Sequence, residues 1–202
     1  MSCMPRVNMS PATFPSVPWS HGEDAHAFPS SAVGTVSDDE GSERWIDITN
    51  EVVKLITEAR VYKAASKGCD AVELDNISVW DQEDSGFTIS RNEQISYNKW
   101  VAELVKDNGM KVGMKAGLSL IQDTSDFYDF AVSMECFAWD ECDVYMAPFL
   151  LKGKPVFNVE FSKDFDACLD PNAAAGMDTI IKNYSLNAPM CSCVDSSRDF
   201  EC

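Results

Sequence analysis

The 202-residue sequence is short of histidine and of basic residues, and each shortage removes a class of function. Only His21 and His26 occur, both in a Pro- and Ser-rich stretch without periodicity, so a Ser-His-Asp or Cys-His catalytic set has no placed base. Lys and Arg number 16 against 33 Asp and Glu, a formal charge of −17. Phosphate backbones are bound through cationic side chains, so nucleic acid is not an expected partner, whereas an acidic cleft concentrates cationic ligands. There is no G-x-x-x-x-G-K-[ST] or G-x-G-x-x-G run, and nucleotide binding has no motif support. No apolar run reaches the length of a membrane span, and residues 1–20, broken by Pro5, Pro11, Pro15 and Pro18, contain no signal-peptide core. Membrane association is therefore not expected, and an export signal is not expected within this sequence.

What is present is a hydrophobic content of 45%, enough for one core, and 8 cysteines without a C-x-x-C pair. That many cysteines fits disulfides in an oxidising compartment better than a reduced cytosol. Composition divides the chain into a Pro/Ser/Gly/Asp-rich leader over 1–42, read as loop or disordered, a folded domain over 43–193 and a short tail over 194–202. Within the domain, short β-prone runs alternate with amphipathic stretches, the pattern of βα units around a parallel sheet.

Strands are predicted over 44–48, 71–75, 111–115, 130–135, 155–161 and 177–181. Helices are predicted over 50–66 and 92–108, with Gly68 and Gly109 just past their ends in left-handed caps, and shorter helical connectors over 123–128, 140–151 and 163–174. Side chains alternate between two faces along a strand, so each strand can be asked what its polar parity carries toward the C-terminal end. The answers are Asp47, then Glu73 with Asp75, then Lys115, then Asn158 with Glu160. A ring of charged strand ends, two of them a carboxylate pair on one strand, suits acid/base chemistry with two carboxylates, on the face where barrel active sites are built. Trp80, Phe87 and Trp139 fall in loops after strands, where an exposed ring can stack on a sugar. No metal-ligand spacing is present, and neither metal nor cofactor is expected.

Several segments in order then resemble one family. They are Arg44-Trp45-Ile46-Asp47-Ile48, Gly68-Cys69-Asp70-Ala71-Val72-Glu73-Leu74-Asp75-Asn76, Ser85-Gly86-Phe87-Thr88, Tyr97-Asn98-Lys99-Trp100, Lys111-Val112-Gly113-Met114-Lys115, Glu135-Cys136-Phe137, Asp140-Glu141-Cys142 and Gly153-Lys154-Pro155-Val156-Phe157. Together they are similar to glycoside hydrolase family 114, the endo-α-1,4-polygalactosaminidase-like enzymes, over about residues 24–193. The resemblance implies an α/β fold of the (β/α)8 TIM-barrel type. A whole barrel takes about 250 residues, and the expectation is an incomplete one with about six strands, the family's first two being missing. It also implies a secreted glycosidase that cleaves α-linked galactosamine or galactose polymers, the former cationic, in the manner of a polygalactosaminidase or an α-galactosidase.

By the resemblance Asp75 is one catalytic carboxylate; Asp47, Glu73, Asn76, Lys115, Trp139 and Glu160 are expected to bind substrate. The family's second acid is the Glu of an Asn-Glu-Gln/Glu-Cys motif, which here reads Ser133-Met134-Glu135-Cys136. An ungapped match places Met134 at the acid, while strand parity groups Glu135 with the more polar Ala131 and Ser133. Either Glu135 takes the catalytic role, or the chain is a non-catalytic carbohydrate-binding member or an unstable fragment. After Lys115 the family's polar pair is replaced by Ala116 and Gly117. The comparison also implies a Cys136–Cys142 bridge and Cys168 joined to Cys191 or Cys193, with Cys69 a buried thiol.

Overall fold

The structure is a computed structural model that describes residues 2–4, 24–36, 43–161, 176–185 and 190–193. The chain divides between Val112 and Gly113 into two compact units.

In the first unit, strand β1 (Ser2–Met4) pairs antiparallel with β4 (Ala71–Leu74), and β2 (Val33–Val36) pairs antiparallel with β3 (Arg44–Ile46) in a separate two-stranded sheet. The first predicted strand thus exists but lies outside the main sheet. Two strands also lie within residues 1–42, a segment whose composition gives no strand pattern; their order comes from pairing with a partner, which local sequence does not reveal. Asp24 adds a tether there, accepting from Arg60 Nη2 at 2.7 Å and Nε at 2.9 Å.

Helix α1 (Glu51–Ser66) starts where the Asn50 side chain accepts from the Val52 N–H, and α2 (Arg91–Asp107) starts at a reciprocal cap between Ser90 and Glu93. Each orphan amide at a helix start needs such an acceptor. Both helices end at glycines in the left-handed region, Gly68 at φ 77° and Gly109 at φ 79°, as the sequence predicts. α1 buries Val53, Ile56, Thr57, Val61 and Ala64, and α2 buries Tyr97, Val101, Ala102 and Val105, one face of each at helical spacing. Between them the Thr57 hydroxyl and the Tyr97 phenol share a hydrogen bond of 2.8 Å, while burial pushes that phenol far above its ordinary pKa.

Strand β5 (Lys111–Lys115) follows β4 in the strand order, its first N–H donating to the Asp70 carbonyl at 2.9 Å. In the second unit β5, β6 (Phe130–Met134), β7 (Val156–Glu160) and β8 (Asp178–Lys182) run parallel in that order, and β9 (Met190–Ser192) closes the order antiparallel to β8. The predicted connectors are less regular than expected: one short helix, α3 (Ile121–Thr124), and otherwise 3-10 turns at Ser125–Phe127, Cys142–Tyr145 and Leu150–Lys152. Asp140, at positive φ, stands at the start of the second connector, and Gly153, also at positive φ, lies just past its end. The third predicted connector, 163–174, lies outside the described residues.

The register decides which side chains share a face. Ala131 and Ser133 of β6, Val156, Asn158 and Glu160 of β7, and Thr179 of β8 form one buried face, with Ser133, Asn158 and Thr179 side by side across three strands. Tyr128, Tyr145 and Phe149 are buried among the connectors, and the Tyr145 phenol, pushed up by burial, hydrogen bonds with Ser133. The opposite face carries Lys115, Val132, Met134 and Phe157 and is more open. At its lower end the Phe130 and Phe157 rings meet edge to face with centroids 6.0 Å apart.

Gly113 makes that aromatic contact possible, because a Cβ on it would lie 2.1 Å from the Phe130 ring. Gly113→Ala is expected to cost about 1–3 kcal/mol through forced displacement of the ring, and a Phe130→Leu change in the same chain is expected to recover part of it. Urea unfolding of both variants tests this; an unchanged midpoint for the single variant would show that the ring yields freely.

A second expectation concerns acid. The Asp24 carboxyl is held below its ordinary pKa, chiefly by its hydrogen bonds to Arg60 against a smaller opposing effect of burial. A depressed folded pKa contributes stability that is complete above the unfolded value, about 3.9, and is lost as pH falls through the folded value. The stability gap between the native chain and Asp24→Asn is therefore expected to narrow as pH falls from about 6 to about 2. Parallel stability curves over that range would refute it.

Candidate active site

The chemistry expected from sequence sits where strands end. Asp75 follows β4 directly and is half-buried, with Glu73 two residues earlier on the same parity and buried. Alternation ends at the next residue: Asn76 has φ 52°, a left-handed conformation that Asn tolerates better than most side chains. Its N–H turns back to donate to Asp75 Oδ1 at 2.9 Å, and its Nδ2 donates to Glu43 Oε2 at 3.3 Å. Asp47 is less free to act on a ligand. Its Oδ1 accepts from both the N–H and the hydroxyl of Thr49, at 3.0 and 2.6 Å, shaping the turn into α1.

Behind Asn76 lies a feature that sequence reasoning missed. Asn98 Nδ2 donates to the Ile77 carbonyl at 3.0 Å, Gln94 Nε2 donates to Asn98 Oδ1 at 2.8 Å, and Gln94 Oε1 accepts from the Trp80 N–H at 3.3 Å. Both amides are buried on α2 and fix the loop that leaves Asp75. With Glu43, Asn76, Ile77 and Tyr97 they line a cavity of about 30 Å³, room enough for water. The available signal was two carboxamides four residues apart on the apolar face that also carries Val101 and Val105.

In the second unit β5 ends at half-buried Lys115, followed by Ala116 at φ 61°, and β6 is followed by half-buried Glu135 at φ 57°. β4, β5 and β6 thus each end in a non-glycine residue of left-handed conformation, an arrangement whose strain is found at binding and catalytic sites. Met134 is 43% exposed on the open face, one residue before alternation breaks.

Glu160 is 0% exposed, so no sugar reaches its carboxylate as it stands. Its Oε1 accepts from the Phe137 N–H and from Asn158 Nδ2, each at 2.8 Å. Glu160 Oε2 and Asn158 Oδ1 are buried without a hydrogen-bond partner among the described residues. The Cys136–Cys142 disulfide, with Cα atoms 4.8 Å apart, closes the loop over Glu160, as the family resemblance implies. The two sulfurs and the Glu160 carboxylate lie within 4.8 Å of one another, but a disulfide sulfur lacks the thiolate charge that binds a metal. Cys69 corrects an expectation: it is buried yet disulfide-bonded rather than a free thiol, since a cystine sulfur is as apolar as the interior around it. Cys191 and Cys193 are also disulfide-bonded, while Cys168 lies outside the described residues.

The three candidate stacking rings separate clearly. Trp80 is half-buried beneath the Arg91 guanidinium at 5.9 Å, and Phe87 packs where a side chain on Gly34 would strike it. Trp139, at 71% exposure, is open to a ligand.

The sequence profile of glycoside-hydrolase family GH114 matches residues 16–198. The chain belongs to this family. Among solved structures it is similar to Aspergillus fumigatus Ega3, in a complex with galactosamine, with a TM-score of 0.74 and 28% identity over 85% of this chain and 73% of that one. It is also similar to the glycoside hydrolase domain of PelA from Pseudomonas aeruginosa, with a TM-score of 0.57 and 10% identity over 84% of this chain and 75% of that one, a likeness of fold alone. No curated protein matches in sequence. Membership makes the main strand order that of a glycosidase barrel of the incomplete (β/α)8 type, its parallel strands continued by antiparallel ones.

The disulfide is expected to hold the loop that carries Trp139. Opening it with Cys142→Ser is expected to accelerate amide exchange within residues 135–141. Hydrogen-exchange measurement checks this, and unchanged protection would mean that the loop holds its shape without the bridge.

Proposed function

We propose that the protein is a secreted glycosidase that hydrolyses α-linked galactosamine polymers with two carboxylates, Asp75 and Glu135, and without a metal or cofactor. The observation that carries this reading is the combination of family membership with likeness to a galactosamine-bound relative at 28% identity. Supporting it are the half-buried Asp75 at the end of β4 and the acidic balance of −17, which favours a cationic polymer over a neutral α-galactoside. In this reading one carboxyl protonates the leaving oxygen while the other attacks or activates water, which requires a separation of about 5–10 Å. Asn76, Lys115 and Trp139 hold the sugar chain, Trp139 by stacking. Glu73 and Asp47 shape the site around them.

Met134 favours a second reading, a carbohydrate-binding member without turnover. A thioether donates no proton, and it stands on the open face of β6 where the family motif carries its acid.

Reducing-end release from α-1,4-galactosamine oligomers separates the two. Asp75→Asn is expected to abolish release, and Glu135→Gln to lower it by about 10²-fold or more, the usual worth of a general acid. Met134→Glu is expected to leave release within a few-fold of the native chain if Glu135 already serves. Release unaffected by Asp75→Asn overturns the two-carboxylate assignment, whereas no release from the native chain together with a gain in Met134→Glu favours the binding member.

A further inference from the structure

Glu160 has the wrong exposure for a ligand contact and the right bonds for another task. The loop after β6 must reverse twice within a few residues, at Glu135 and at Asp140, both at φ 57°. Several of its amides are committed: Glu135 N–H to the Val159 carbonyl at 2.8 Å, Trp139 to Glu135 at 3.0 Å, Asp140 to Phe137 at 3.2 Å and Glu141 to Cys136 at 2.7 Å. Those four bonds are to backbone carbonyls, three of them within the loop itself. The Phe137 amide, in the middle, instead finds the carboxylate of Glu160. That oxygen is held in place by Asn158 Nδ2, its neighbour on the buried face of β7. A charged acceptor makes a stronger hydrogen bond than a neutral carbonyl, and burial strengthens it further.

We infer that Glu160 is a positioning residue: its buried carboxylate pins the centre of the disulfide-closed loop to β7 and so fixes the presentation of Glu135 and Trp139 at the loop's two shoulders. The inference rests on the proposed function for what those two residues do, not for the geometry that holds them. It reassigns Glu160 from the substrate contacts that its family position implies. Glutamine keeps an acceptor oxygen for Phe137, whereas leucine of similar size keeps none.

The experiment is a binding series on the full chain, by calorimetry with an α-1,4-galactosamine oligomer, alongside amide exchange of the loop. Glu160→Gln is expected to bind within about threefold of the native chain, while Glu160→Leu loses about tenfold, matches Trp139→Ala and adds nothing to it in the double variant. Glu160→Leu is also expected to accelerate exchange within residues 135–141. A Glu160→Gln variant that loses as much affinity as Trp139→Ala overturns the inference, because a direct charged contact to substrate behaves that way; this arm stands even where the leucine variant does not fold. Additive losses in the double variant overturn it too. A native chain that binds no oligomer counts against the proposed function alone. In that case exchange decides: unchanged protection of residues 135–141 in Glu160→Leu overturns the positioning.

Discussion

The constraint on which the chemistry depends is the alternation of side chains along a parallel strand, together with its interruption at the strand's end. Within β4 to β8 alternation sorts each residue to one face or the other. At Asn76, Ala116 and Glu135 the backbone turns left-handed and the sorting stops. A left-handed conformation costs a residue with a Cβ roughly 1–2 kcal/mol, which the surrounding contacts must offset. The contacts that do so are visible: the Asn98 and Gln94 amides behind Asn76, and the Val159 carbonyl with the Glu160-bound loop around Glu135. Each of these strand ends thus has its direction fixed from behind.

Much of this was legible in the sequence because it is local. The β-prone runs at 71–75, 111–115, 130–135, 155–161 and 177–181 all fall on strands of the main order, and both long helices are followed by their expected glycine caps. Parity groups Glu73 with Asp75, the residue that follows β4 directly. It erred in implication at β7, where Asn158 and Glu160 share a parity as expected but on the buried face. Polar residues on a strand can serve a buried network as well as an open cleft, and a sequence does not distinguish the two without the partners. The partners here are non-local: Phe137 lies 23 residues from Glu160, and Asn98 lies 21 from Ile77. The pairing of β1 with β4 and of β2 with β3 escaped for the same reason.

Met134 marks the most informative departure from the family pattern. The residue sits on the open side of β6, with Lys115, Val132 and Phe157 on the same face, while Glu135 begins the reversal into the closed loop. Moving an acid by one residue along a regular strand sends it to the opposite face. Moving it by one residue into a left-handed position does not carry that penalty, because the alternation no longer applies there. The local backbone is therefore compatible with a relocated acid in a way that a continued strand would not be.

The short antiparallel strands at the two ends of the main order also bear on how the chain behaves in company. A parallel sheet that stops short of closure presents rows of unpaired amides and carbonyls, an invitation to other chains to add themselves. Here β4 is flanked by β1 and β8 by β9, each only three residues long. A strand of that length satisfies the neighbour it lies against yet offers an incoming chain too few bonds to lengthen the sheet. Self-limitation of this kind works against the addition of further chains at a sheet edge, and the surplus of negative charge adds a repulsion that acts before any edge is approached.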